Sequence, residues 1–522
     1  MMPGKKGTSL MSMTLNDVHR GLEGGFFTST HLVQTYLKRI EEVNHVVRAI
    51  TELDPTALDQ AKALDAERSA GKIRGPLHGI PMVLKNQFAT YNMNNTSGST
   101  ALLGAKTGRD AAVVKRLRDA GVITLGIANL TQWGNNRNPP MAGNGWSADG
   151  GQAMGVFFEK QDLWGSSTGS AIGTALGLAF AGLGTEVEGS IVCVAERSNL
   201  VGLKPTVGLV SRDLVILSRR LGSIGPLTRS VKDAAAILTV ISGKCPNDPA
   251  TAAIPFETIP DFTQFCTTDG LWGARIGIPR DALRGNPPCA ELTSTVSQAF
   301  EAQIEILQSL GATIVQDCSF EGFDEALISK SASLVKGTDF KIDLANYLEQ
   351  LQENPNNVKT LDDVISWTQV DPREQYPSRG TQNMEAAWNG LDNRECEEFK
   401  TALEHMEWLA HEGGVRGALR KDNLDALILP TCVSPIIPAL GGYPIITVPM
   451  GFYPKDTEIK MCPRGDLIER GPDLPFGLSF IGDLFSEEKI IKYAYAFEQH
   501  TQIGKNGKPI FAPESELCWE FP

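Results

Sequence analysis

Two serines lie in glycine-rich loops, GSSTGS (165–170) and EGS (188–190), on either side of one short helical stretch and one short strand-like stretch. Backbone N–H groups crowd where glycines cluster, and Gly165, Gly169, Gly184 and Gly189 let such donors converge on a developing oxyanion. A serine hydroxyl is a weak nucleophile until a base takes its proton. The seven histidines offer no obvious base: His19, His31, His45, His405, His411 and His500 fall in helical or surface-like contexts, and a structural role suffices for His78 in the turn GPLHGIP. Lys85 is the better candidate, because it closes the apolar run Met82-Val83-Leu84 and precedes Asn86. A lysine withdrawn from water loses its preference for the charged form and becomes a base. Taken singly, each of these residues has an ordinary alternative: a solvated lysine, or a serine that caps a helix or decorates a loop. Other chemistries have less behind them. There is no HExxH, GxSxG or GxxxxGK[ST] segment, and GLGTEVEG misplaces the third glycine of a dinucleotide fingerprint.

The elements around these residues have to bring them together. Thr28 or Ser29 can cap a helix in which Leu32, Val33, Tyr36, Leu37, Ile40 and Val43 recur at helical spacing, and a second helix is expected over 57–68. Gly75, Pro76, Gly79 and Pro81 then break the chain ahead of a strand over 82–84 that ends at Lys85. Residues 110–120 predict a helix closed by Gly121, and 122–127 a buried strand. Inside the densest run of small residues, 170–178 predict a tightly packed helix and 179–184 a strand aimed at the second serine loop. A helix back and a strand out return both loops to one end of a sheet, where α/β sites form. Further strands are expected at 424–429 and 445–448, and a last helix from Ser486 with Glu487 and Glu488 in its first turn.

Alternation of helix, glycine and strand indicates an α/β fold. Between about residues 247 and 422 the pattern is more polar and less regular, with helices expected over 292–310 and 396–410. No internal repeat or low-complexity linker divides the chain. One domain over 1–522 is therefore expected, with a variable insert at about 247–422.

A hydrophobic share of 42% and a charged share of 21% are ordinary for a globular protein. The net charge of -13, with no basic stripe, argues against a nucleic-acid partner. Nine cysteines without CxxC spacing indicate neither a zinc site nor a disulfide framework, which fits a reducing compartment. MMPGKKGTSLMSM lacks the apolar core of a secretory signal, and no run approaches the roughly 20 apolar residues of a membrane span. A cytoplasmic protein without a membrane partner is expected.

The wording and order of the segments add a further reading. GPLHGIPMVLKN, GSSTGSAIGTALG, GTEVEGSIV and VGLKPTVGLVSR follow one another as in the amidase-signature family, and the resemblance runs from TSTHLVQTYLKRI to FGLSFIGDLFSEEKIIKYAYAFEQ. GWSADGGQ, GSSTGS and YPIITVPMGFYP most resemble fungal amidases related to the glutamyl-tRNA amidotransferase A subunit. The resemblance implies an α/β fold in which helices sandwich a single large mixed β-sheet. It implies a catalytic triad of Lys85, Ser166 and Ser190, with Ser166 entered through a cis peptide and the two serines 190 − 166 = 24 residues apart. The N–H groups of Val187, Glu188, Gly189 and Ser190 match the family's oxyanion hole, and Gly134 matches a position lining the substrate cleft. No metal and no cofactor is implied.

The implied reaction cleaves a linear carboxamide C–N bond through an acyl-Ser190 ester. Lys85 accepts a proton from Ser166, which accepts one from Ser190. The partner is a small-molecule amide, and a homodimer stays open. The chain departs from the family pattern at Glu188 (EGS for GGS), at Val194 (for proline) and at Gly222 (for aspartate in LGSIGP). AMGVFFEKQDLW also lacks the DPCGSS wording of the fungal relatives. Three other readings share the sequence: an acyltransferase or cyclase using the same acyl-enzyme, a component of a tRNA-dependent amidotransferase, and a catalytically silent binding protein that kept the fold. Fungal-type wording and the variable middle region stand against the amidotransferase, and the intact triad stands against the silent protein.

Overall fold

Strands that are mostly apolar on both faces have to be covered on both faces. Pro81–Lys85, Ile123–Ala128, Ala181–Glu186, Ala426–Pro430 and Pro475–Ile481 are buried at every position. The structure, a computed structural model, describes residues 9–137, 143–285 and 291–517. Residues 1–8 of the N-terminal segment, and Cys289 and Cys518 among the cysteines, lie outside the described residues.

In chain order the first strands are β1 (Ile50–Leu53), β2 (Pro81–Lys85), β3 (Ile123–Ala128), β4 (Trp146–Ser147) and β5 (Gly151–Gln152). Next come β6 (Ala181–Glu186), β7 (Val201–Lys204), β8 (Ser223–Thr228), β9 (Arg275–Pro279) and β10 (Thr313–Cys318). The last are β11 (Ala426–Pro430), β12 (Ile445–Phe452), β13 (Lys460–Met461), β14 (Ile468–Arg470) and β15 (Pro475–Ile481). Among the described residues eleven of them form one sheet, ordered β1-β3-β2-β6-β8-β7-β12-β15-β11-β9-β10. β2 runs parallel to both β3 and β6, β9 runs parallel to β10 and β11, and the remaining neighbours are antiparallel. The sheet is therefore mixed, with β15 held between β12 and β11. Two short hairpins, β4–β5 and β13–β14, stand apart from it.

Helices pack against this sheet. Ser29–Val47 starts on a Thr28 capping box and lies on β2, while Val231–Ile241 and Glu487–Thr501 lie on β8 and β12. The helix over Thr168–Ala175 is buried at all eight positions. Its Gly169 is packed so closely that a side chain there would strike Ala49 O and the Asn129 backbone beyond β3. This helix ends earlier than the run of small residues predicts, because Gly177 turns left-handed (φ 58°) and the Leu178 N–H folds back onto Gly173 O at 2.7 Å. The strand that follows is correspondingly shifted, and it carries Thr185 and Glu186 into the sheet where the sequence predicts loop. Residues 247–422, expected to be irregular, contain β9, β10 and the helices Ser294–Ser309 and Glu397–Ala410. Among the described residues no helix is long and apolar enough to cross a membrane.

Candidate active site

β2 and β6 are parallel neighbours, so Lys85 at the end of β2 and the loop after Glu186 emerge on the same side of the sheet. The helix Thr168–Ala175 leads back into β6, which puts the start of that helix at the same end. Three expected residues meet there. Lys85 Nζ lies 2.6 Å from Ser166 Oγ, and Ser166 Oγ lies 2.8 Å from Ser190 Oγ. Lys85 is 0% exposed, Ser166 1% and Ser190 7%, so this chain of contacts is dry at Lys85 and opens at Ser190.

The two serine loops touch directly. A Cβ on Gly165 would stand 2.9 Å from Gly189 O and 3.2 Å from the Ser190 Cα, so no larger residue fits. The Ser167 N–H donates to Ser190 O at 3.2 Å, and the Thr131 N–H to Ser166 O at 3.1 Å. The expected cis peptide into Ser166 is not found: that bond is trans, and the cis bond among the described residues is Tyr376–Pro377. The Ser166–Ser167 peptide is instead fixed by these two hydrogen bonds, and Trp164, two residues before Ser166, is left-handed at φ 59°.

Lys85 is held by more than Ser166. Its Nζ also reaches Thr185 Oγ1 at 2.8 Å and Thr185 O at 3.1 Å. Burial pushes the Lys85 amine well below the usual lysine range, and the carboxylate of Glu186 only partly opposes this. Burial thus favours the neutral form of this amine, the form able to accept a proton.

Glu186 is itself buried, and its carboxylate organises the Ser190 loop. Oε1 accepts from the Gly189 N–H at 2.9 Å, while Oε2 accepts from Ile191 at 2.5 Å and Val192 at 2.9 Å. Burial raises its pKa, opposed by the charge of Lys204 and by these three N–H groups. Lys204 is in turn pushed down to about 8 by burial, against the charges of Glu186 and Glu487.

The four expected oxyanion donors therefore divide. The Gly189 N–H is committed to Glu186, whereas those of Val187, Glu188 and Ser190 have no hydrogen-bond acceptor among the described residues. Gly189 takes φ 74°, which turns the chain sharply just before Ser190.

A cavity of about 490 Å³ opens over Ser190. Gly134 lines it, in a left-handed turn (φ 63°) beside Gln87. That turn is anchored from far along the chain by Glu374, whose carboxylate accepts from Arg137 Nη1 at 2.8 Å, Gln132 Nε2 at 2.7 Å and Ser99 Oγ at 2.8 Å. The opposite wall includes the β13–β14 hairpin, tied to the segment before Trp164 by the Asp162 N–H on Ile468 O at 2.9 Å.

The lysines of the wall are paired. Lys336 bridges to Glu188 at 2.9 Å, and Lys460 to Glu291 at 2.9 Å and Glu469 at 3.1 Å. Asp162 accepts from Asn144 Nδ2 at 3.0 Å and the Trp164 N–H at 2.9 Å. No cation among the described lining residues lacks a counter-charge. Nor does any group of three His, Cys, Asp or Glu among the described residues have a metal-binding arrangement.

Comparison with known proteins agrees with the geometry. The family model described as Amidase matches residues 31–439. A protein of Arthroderma benhamiae named "Putative amidase" is 43% identical over 97% of this chain and 88% of its own length. The crystal structure of a peptide amidase from Stenotrophomonas maltophilia superposes with a TM-score of 0.83 at 35% identity, covering 96% of this chain and 98% of that one. The A subunit of the glutamyl-tRNA(Gln) amidotransferase of Prochlorococcus marinus is 29% identical over 95% of this chain and 98% of its own.

Proposed function

The chain belongs to the amidase family and is an amide-hydrolysing enzyme, and from that premise we propose that it acts on uncharged carboxamides through an acyl-Ser190 intermediate. The observation that carries this reading is the unbroken contact from buried Lys85 through Ser166 to Ser190, at 2.6 and 2.8 Å. Neutral Lys85 takes the Ser166 proton as Ser166 takes that of Ser190, whose oxygen bonds to the amide carbon. The carbonyl oxygen becomes an oxyanion facing the N–H groups of Val187, Glu188 and Ser190. Losing one such donor commonly costs a hundredfold or more, about 3 kcal/mol of barrier. The relay returns its proton to the leaving nitrogen, the C–N bond breaks, and ammonia or an amine departs. Water then adds to the acyl ester by the same relay and releases the acid.

The paired charges of the wall support the substrate class. A carboxylate on the substrate would find both lysines already neutralised and would face Asp162 and Glu469. A peptide ending in a carboxamide brings no such charge, and the Stenotrophomonas maltophilia relative is named for peptide amides. The same charge argument disfavours an amidotransferase component that draws ammonia from a free amino-acid amide. We further propose that variability within the segment at about 247–422 lies outside β9 and β10, which belong to the main sheet, and in the helical part that supplies Lys336 and Phe340 to the cleft.

A fluorophosphonate probe followed by peptide mapping tests the nucleophile. The adduct is expected on Ser190 and is expected to vanish in Ser190→Ala; an adduct elsewhere, or none on the folded enzyme, refutes the assignment. Ammonia release from a neutral peptide amide should exceed release from the same peptide carrying an acidic side chain beside the amide. Activity should rise with pH as Lys85 loses its proton, because only the neutral amine is a base.

A further inference from the structure

Two residues outside the relay touch its base or the group beside it. We propose that Thr185 and Gln87 are positioning residues that point the lone pair of neutral Lys85 at Ser166. The inference rests on the relay proposed above and follows from counting donors and acceptors. The Ile216 carbonyl can only accept, so Gln87 has to present Nε2 to it, at 2.7 Å. Gln87 Oε1 then faces Thr185 Oγ1 at 2.6 Å. An amide oxygen accepts, so the Thr185 hydroxyl donates its one proton there. What Thr185 Oγ1 turns towards Lys85 Nζ, 2.8 Å away, is therefore a lone pair. The Thr185 carbonyl, 3.1 Å from Nζ, is a second acceptor.

A neutral amine has two N–H bonds and one lone pair, and Thr185 takes both N–H bonds. The remaining direction, towards Ser166 Oγ at 2.6 Å, is left for the lone pair. Ser166 then donates to Lys85, and Ser190 donates to Ser166, so the relay is polarised before substrate arrives. Gln87 is 2% exposed, Thr185 1% and Lys85 0%, so water does not compete for these bonds. Glu186 is the charged group acting on Lys85, and it stays in place in the variants below.

The test is the pH profile of kcat and KM for hydrolysis of a neutral peptide amide. Thr185→Val keeps the shape and removes the hydroxyl. Its kcat is expected to fall about ten- to a hundredfold with KM within about threefold. Its acid limb should move to lower pH, because the ammonium form loses an acceptor. Thr185→Ser should restore both. Gln87→Leu frees the Thr185 proton to turn onto the Lys85 lone pair, so kcat should fall while the double variant is no slower than Thr185→Val alone.

A Thr185→Val enzyme with unchanged kcat and an unmoved limb overturns the inference, as does independent, multiplicative loss in the double variant. Melting temperatures verify folding; if Thr185→Val does not fold, Gln87→Leu and Thr185→Ser carry the decision. Lys85→Ala separates the two levels. If it stays active, the relay itself is wrong; if it is dead while Thr185→Val is unaffected, only the present inference falls.

Discussion

Glu186→Gln perturbs the site with the fewest atoms. The carboxylate satisfies three N–H groups with two oxygens, Gly189 on one and Ile191 and Val192 on the other. Glutamine has one accepting oxygen. Keeping the Ile191–Val192 pair leaves the Gly189 N–H facing an amide NH2. An orphaned buried donor costs about 1–3 kcal/mol, and the two surviving bonds lose their ionic component. Relief of the desolvation that raises the Glu186 pKa offsets part of this, so the net loss is about 2 kcal/mol.

Unfolding entropy of about 2.1 cal/mol/K per residue scales to about 1.1 kcal/mol/K for 522 residues, so the apparent Tm should fall by only about 2 °C. The rate should suffer far more. Gly189 precedes Ser190, and a displaced peptide there misplaces the neighbouring N–H groups proposed to face the oxyanion, which predicts a loss of about a hundredfold in kcat. The pH profile adds a signed readout. The charge of Glu186 raises the Lys85 pKa, so removing it should move the acid limb to lower pH. Scanning fluorimetry alongside kcat measured across pH checks all three. Full activity, or an acid limb moved upward, refutes the role given to this carboxylate.

Burial pushes Glu498 up to about 8, against 4.5 for an ordinary glutamate, so the folded state binds the extra proton between those values and stability falls as pH rises through them. Glu498→Gln should therefore gain stability over the parent as pH climbs from about 4.5 to 8, with a constant difference above, read from denaturant midpoints. Glu374→Ala strands the buried Arg137 guanidinium and should cost about 3–5 kcal/mol, with KM rising more than kcat falls because the Gly134 turn loses its anchor. Glu188→Gln frees Lys336 at the mouth; kcat/KM for a carboxylate-bearing amide should rise about three- to tenfold relative to a neutral one, and the gain should shrink in high salt.

The site was legible where a residue type clashes with its surroundings. Lys85 ends an apolar strand, and Ser166 and Ser190 sit among glycines where loops can meet. Thr185 and Gln87 carried no such contrast. A β-branched residue is what any strand uses, and a glutamine after Lys85-Asn86 reads as solvated. Glu186 in GTEVEG resembles a loop charge until β6 proves to be shifted two residues along the chain and wholly buried. Glu374 has no local signal, since its partners lie in residues 99–137. Strand β8 was hidden by Pro226, a residue that argues against a central strand. It is tolerated because β8 pairs with β7 only through Leu227 and Thr228, outside the proline. β9, with Gly277 and Pro279, and the partly exposed β10 were likewise weak as isolated strands.

The place of β15 bears on how the molecule is made. It is the last strand among the described residues, yet it sits inside the sheet, between β12 and β11. During synthesis, the strands from β1 to β12 on one side and β9 to β11 on the other have no common edge until residues 475–481 leave the ribosome. Each half exposes an open, apolar strand edge in that interval, an invitation to pair with another nascent chain. The enzyme should therefore be most vulnerable to aggregation late in translation, and a chain stopped just before β15 should need chaperones although every residue of the serine–lysine relay has been made.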